Sequence, residues 1–146
     1  GFLGRLPKGW RYGVEIRNRT FLQPEYFACL QRHGVTHVFN SWEAMPGIDE
    51  QLKLPGSLPA DFTAARLLLR PGRDYETAVE AFAPYDRVRD DFPEGRAAAV
   101  ELIAAALELR KRWAFIYVNN RYEGYALATI ARIVEQLTRR AELQNT

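Results

Sequence analysis

Four short segments carry the residues best suited to chemistry. Glu15 and Arg17 lie two apart in Tyr12-Gly-Val-Glu-Ile-Arg17, so in an extended strand they share a face. A carboxylate and a guanidinium on one face present an acid/base group and an anion clamp to a ligand, or pair with each other. Arg66 and Arg70 repeat the cationic half of this arrangement in a third apolar segment. Asn40 and Trp42 end a second such segment, and Asn119 with Asn120 follow a fourth, Phe115-Ile-Tyr-Val118. Each has a plainer reading. Inward Glu and Arg form buried ion pairs that only pack. Paired Asn residues suit turns. A Trp after a strand anchors a loop as readily as it stacks on a ligand.

Other constellations fail. The two histidines are badly placed for catalysis: His33 adjoins a helix stop at Gly34, and His37 comes early in its strand. Both read as structural, which removes a Ser-His-Asp triad and the usual zinc sites. The single cysteine, Cys29, excludes an internal disulfide and reads as a small buried residue. No Gly-rich phosphate loop or dinucleotide fingerprint occurs, so no cofactor is implied. The acids Asp86, Asp90, Asp91 and Glu94, interleaved with Arg87 and Arg89, read as a solvated loop.

The elements that must position these groups follow from periodicity. Strands are expected over 12–17, 36–41, 63–69 and 114–119. Pro24 opens a helix to residue 32, with Gly34 as its stop. One helical turn is expected over 48–52. Asp74 caps a helix over 75–82. Longer helices cover 94–112, with the stripe Val100, Ile103, Ala104, Leu107, and 124–142, with the stripe Leu127, Ile130, Ala131, Val134, Leu137. Strands alternating with helices argue for an α/β fold with a parallel sheet. Two architectures remain open, a doubly wound sheet and half of a closed barrel.

The net charge of +2, with acids and bases interspersed, gives no basic stripe, so nucleic acid is not an expected partner. No apolar run is long enough to span a bilayer, and no signal-peptide pattern occurs, so the expectation is a cytoplasmic protein without a membrane partner.

The segments Val14-Glu15-Ile16-Arg17-Asn18, Phe39-Asn40-Ser41-Trp42 and Tyr117-Val118-Asn119-Asn120-Arg121-Tyr122-Glu123-Gly124-Tyr125-Ala126 resemble the YecE-like family, domain of unknown function 72. The tandem Asn and the Glu-Gly-x-Ala that follows are the most specific part, and the resemblance spans essentially the whole chain. It implies a TIM-type (β/α)8 barrel, of which residues 1–146 form a single domain supplying the last four β/α units. Family members usually carry a further N-terminal half with the first strand. Many also carry Arg-x-His-Gly on the penultimate strand, where this chain has Arg66-Leu67-Leu68-Leu69. The resemblance places a small polar or anionic ligand at the strand C-terminal ends, with Glu15, Arg17, Asn40, Trp42, Arg66, Asn119 and Asn120 as contacts. Catalysis is left open. The alternative is a non-catalytic module whose inner sheet face, including Leu68 and Phe115 or Ile116, is covered in a homodimer or by the missing half.

Overall fold

In the computed structural model of the chain, residues 1–109 and 113–144 are described. Four strands form one parallel sheet in chain order: β1 (Gly13–Val14), β2 (Thr36–Ser41), β3 (Phe62–Leu67) and β4 (Trp113–Val118). The helices are α1 (Pro24–His33), α2 (Ile48–Leu52), α3 (Tyr75–Phe82), α4 (Pro93–Glu108) and α5 (Ala126–Gln144). Among the described residues no helix is long and apolar enough to cross a membrane.

Local chemistry explains most boundaries. Pro24 opens α1, and Gly34 closes it in the left-handed region at φ 64°, where a β-carbon would be strained. Asp74 caps α3 by accepting the Thr77 amide at 2.9 Å. The expected end of α4 at residue 112 lies outside the described residues.

The first strand is shorter than its pattern suggests. Only Gly13 and Val14 pair with β2, opposite Thr36 and His37. Beyond them the Asn40 side-chain amide donates to the Ile16 carbonyl at 2.9 Å, and the Tyr26 hydroxyl lies 3.2 Å from the Val14 carbonyl. Side chains replace the ladder there, so Glu15 and Arg17 sit on irregular backbone.

Alternation divides the sheet. Phe39, Ala65, Leu67, Ile116 and Val118 pack with α4 and α5 residues such as Ala99, Leu102 and Ile133 in the main core. The alternate residues Thr36, Val38, Phe62, Ala64, Arg66, Phe115 and Tyr117 line an open concave cleft of about 930 Å3. Two expectations about this face are corrected. Ile116 faces the helices, because it is odd with respect to Phe115 and Tyr117. Leu68 is buried beyond the ladder, whereas Trp113 and Tyr117 are exposed.

Three helical expectations also change. Leu107, expected in the α4 stripe, is exposed, while buried Ala98, Ala99, Leu102 and Ala106 show a helix covered on several sides. In α5 the expected stripe holds at Leu137, which faces the core in a row with Thr129 and Ile133, spaced by four, but not at its other members. Leu127, Ile130 and Val134 are exposed, and Ala131 also faces out. Cys29 is exposed as well, because α1 buries the row Phe27 and Leu30 and a 100° step per residue turns Cys29 away.

Candidate ligand site at the strand ends

The register aligns Asn40 of β2 with Arg66 of β3, and Arg66 with Tyr117 of β4. This row lies toward the C-terminal ends of the strands. Glu15 meets it from the β1 side. Its carboxylate accepts from Arg66 Nη1 at 2.5 Å and from Arg17 Nε at 2.9 Å. Burial alone would raise the Glu15 pKa, but the two guanidiniums outweigh it and hold the group below its usual 4.5. Glu15 therefore stays ionised, and two cations share one anion. The arginine side chains remain 45% (Arg17) and 41% (Arg66) accessible, so their spare N–H groups are open to a ligand.

Arg17 is also oriented from below. Its guanidinium lies 4.2 Å from the Trp42 ring centroid, and Trp42 packs on the small cluster of Leu69, Ala78 and Phe82. Trp42 is thus both rim anchor and platform for an arginine.

The asparagines are used otherwise. Asn40 is fully buried; besides its bond to Ile16, its backbone amide and carbonyl are held by the Gln51 side chain at 3.3 and 2.7 Å. Its Oδ1 is buried without a hydrogen-bond partner. Asn119 Oδ1 accepts the Arg121 amide at 2.9 Å, and Asn120 Oδ1 accepts the Ala126 amide at 2.8 Å, at the start of α5. Both side chains close the turn between β4 and α5.

His37 is structural and fully buried. Gln51 Nε2 donates to the Asn40 and Pro46 carbonyls, so its Oε1 must face His37 Nε2, 3.1 Å away. That fixes the proton on Nε2 and makes Nδ1 the acceptor for the Tyr26 hydroxyl at 3.0 Å. Burial lowers the His37 pKa to about 4, with the Gln51 bond opposing.

The loop after α3 is solvated as expected, with Asp86, Arg87, Arg89, Asp91 and Glu94 exposed, but its acids are also ion-paired. Asp90 is bridged by Arg70 and Arg73, and Asp91 by Arg96 and Arg132. Two residues take places in the structure that the sequence did not assign to them. Tyr117 is one; its alternation with Phe115 was the available signal. Glu123 is the other. It is fully buried, accepts the Phe92 amide at 2.6 Å and Arg96 Nη1, and its backbone carbonyl takes the Arg89 and Asp90 amides. It clasps the loop before α4 to the turn before α5. Among the described residues no three His, Cys, Asp or Glu groups converge as a metal site.

A parallel α/β sheet with charged groups at its strand ends defines a protein of the β/α class. The profile of the family described as protein of unknown function DUF72 matches residues 1–146, and the chain belongs to that family. A solved structure of a DUF72 family protein from Thermotoga maritima is similar at 22% identity and a TM-score of 0.60. The match covers 89% of this chain and 47% of that one, so the chain spans about half of that relative's length. No curated protein matches.

Proposed function

We propose that the strand ends bind a small anionic ligand, with Arg17 and Arg66 as its contacts and Glu15 holding both in place. The observation that carries this reading is the shared Glu15 carboxylate, which leaves one net positive charge on two accessible guanidiniums. Tyr117, beside Arg66 and exposed, offers a ring and a hydroxyl to the same ligand. Binding is tested with inorganic phosphate by isothermal titration. Arg66→Met should abolish it and Arg66→Lys should weaken it, with unchanged circular dichroism. Equal affinity in the wild type and Arg66→Met would sink the reading.

The finer architecture is a half-barrel whose remaining strands come from an N-terminal half. Three features support this. The open face carries Trp113, Phe115 and Tyr117; among the described residues β4 pairs only with β3; and α5, last in the helix layer, leaves Leu127, Ile130 and Val134 exposed. The similar structure is about twice as long. In the completed barrel the aromatic floor packs against the added strands and the Glu15 row stays at the mouth. Light scattering separates the possibilities: a monomer that gains a partner only when the other half is co-expressed supports this reading. A stable homodimer of residues 1–146 supports the alternative assembly module instead.

A further inference from the structure

The arrangement at Glu15, one carboxylate between two guanidiniums, recurs at Asp90 and, next to it, at Asp91 between Arg96 and Arg132. Leu69, two residues after β3, donates its amide to the Ser41 carbonyl at the end of β2, so Arg70 lies just beyond the ladder in which Arg66 is paired with Asn40 and Tyr117. A turn follows, closed by Arg73 N to the Arg70 carbonyl at 3.0 Å and Gly72 N to the Glu43 carbonyl at 3.3 Å. It presents Arg70 and Arg73 to one carboxylate, Asp90. The two contacts are unequal. Arg73 grips Asp90 tightly, whereas Arg70 Nη1 lies 3.4 and 3.5 Å from its two oxygens, at the limit of a hydrogen bond.

What fixes these arginines is only partly Asp90. The Arg70 guanidinium lies 4.6 Å from the Phe92 ring centroid, and that of Arg73 lies 4.9 Å from the Phe82 ring centroid. Both cations keep an aromatic support when the carboxylate leaves. Asp90 is held from behind by its amide on the Glu123 carbonyl at 3.2 Å. Two aromatic-supported guanidiniums thus share one carboxylate, as Arg17 and Arg66 share Glu15.

We propose that Arg70 and Arg73 form a second anion subsite, occupied by Asp90 in the free protein, and that the ligand of the mouth carries two anionic groups. This rests on the anion-binding reading of Arg17 and Arg66. Residues 66 and 70 are four apart and the backbone bends at Leu69, so their Cα atoms are closer than the roughly 13 Å of a fully extended chain. Long arginine side chains narrow that span, which suits phosphates at the two ends of a sugar rather than two adjacent phosphates.

The probes are fructose 1,6-bisphosphate and fructose 6-phosphate, titrated calorimetrically at constant low ionic strength. The wild type should bind the bisphosphate about tenfold more tightly than the monophosphate. Asp90→Asn, by removing the internal competitor, should tighten the bisphosphate by about a further fivefold. Asp86→Asn removes the same charge from the same loop, where among the described residues Asp86 pairs only with Arg89 at 3.3 Å, and should change affinity by less than about twofold. Arg73→Met should erase the preference for the bisphosphate while leaving the monophosphate unaffected. Equal effects of Asp90→Asn and Asp86→Asn would overturn the subsite, as would a bisphosphate preference that survives Arg73→Met. If Asp90→Asn does not fold, the Arg73→Met arm decides alone. Loss of monophosphate binding in Arg66→Met, with no bisphosphate preference in the wild type, would uphold the first site and remove only the second.

Discussion

The two faces of the sheet are built from alternate residues of the same strands, yet they are different materials. On the helix side Phe39, Ala65 and Leu67 are completely buried. On the open side Tyr117 is 60% exposed, one residue from Ile116, which packs into the core. The helix face packs within the chain, whereas the open face leaves Trp113 and Tyr117 exposed. The sheet residues differ in charge as well: Glu15 and Arg66 meet at the open cleft, while the other sheet face holds neutral groups such as His37 and Thr63, and the helix layer behind it buries the paired Arg96 and Glu123. Stability should therefore reside in one face and ligand binding in the other, and substitutions on the two should have separable effects.

The largest expected effect is on the helix face. Leu67 is fully buried between β2, β4 and the α4 layer, so Leu67→Ala should cost about 3–4 kcal/mol in denaturant unfolding. A loss under about 1 kcal/mol would mean that the helix layer packs loosely, and the contrast between the faces would fail.

How far this division could be read beforehand depends on the residue. The parallel α/β order, α2 as a single turn, and the caps at Pro24, Gly34 and Asp74 were legible, because they rest on local chemistry. The faces of α5 were not. Leu127, Ile130 and Val134 form as regular a stripe as Thr129, Ile133 and Leu137, and hydrophobicity favours the first. The sheet chose the second, since contact with α4 and β4 sets the rotation of the helix. At the site, pairing of Glu15 and Arg17 was legible from their spacing. The contribution of Arg66 depends on a contact 51 residues away, and the fate of the asparagines on turn geometry. Neither is a local property.

His37 sharpens the comparison through pH. Its folded pKa of about 4 lies below the ordinary 6.5, so the fold favours the neutral ring. The unfolded chain gains a proton below pH 6.5 and the folded one does not. Its contribution is thus intact above pH 6.5 and declines from there to about pH 4, by roughly 3 kcal/mol in all. Glu15, held below 4.5, adds its own loss only at lower pH. Unfolding free energies between pH 7 and 4.5 should fall in the wild type and run flatter in His37→Gln. Parallel curves would remove His37 from the account.

Gly95 tests the packing between α4 and the turn before α5. A β-carbon there would lie 2.0 Å from the Tyr122 hydroxyl and 2.4 Å from the Phe92 ring. Gly95→Ala should therefore destabilise by about 1–3 kcal/mol, although alanine is the better helix former. Gly95→Ala combined with Tyr122→Phe should recover part of the loss, since the hydroxyl makes the nearest clash. An unchanged or increased stability in the single variant would show that the turn yields easily.

The smallest effect is expected on the open face, and it is the most informative about what covers that face. Tyr117 is exposed, so Tyr117→Ala should change the unfolding free energy of a monomeric chain by less than about 0.5 kcal/mol. Its neighbour Arg66 keeps Glu15 as partner in the variant, so the ion pair offers no second route to instability. If two copies cover each other's open faces, Tyr117 becomes an interface residue. The same substitution then costs more, and its cost rises with protein concentration because assembly contributes to the stability being measured. Unfolding midpoints of the wild type and Tyr117→Ala, taken at concentrations a hundredfold apart, separate the cases. Coincident and concentration-independent curves leave the open face uncovered in residues 1–146. A gap that widens with concentration would end the contrast between a packed and an exposed face.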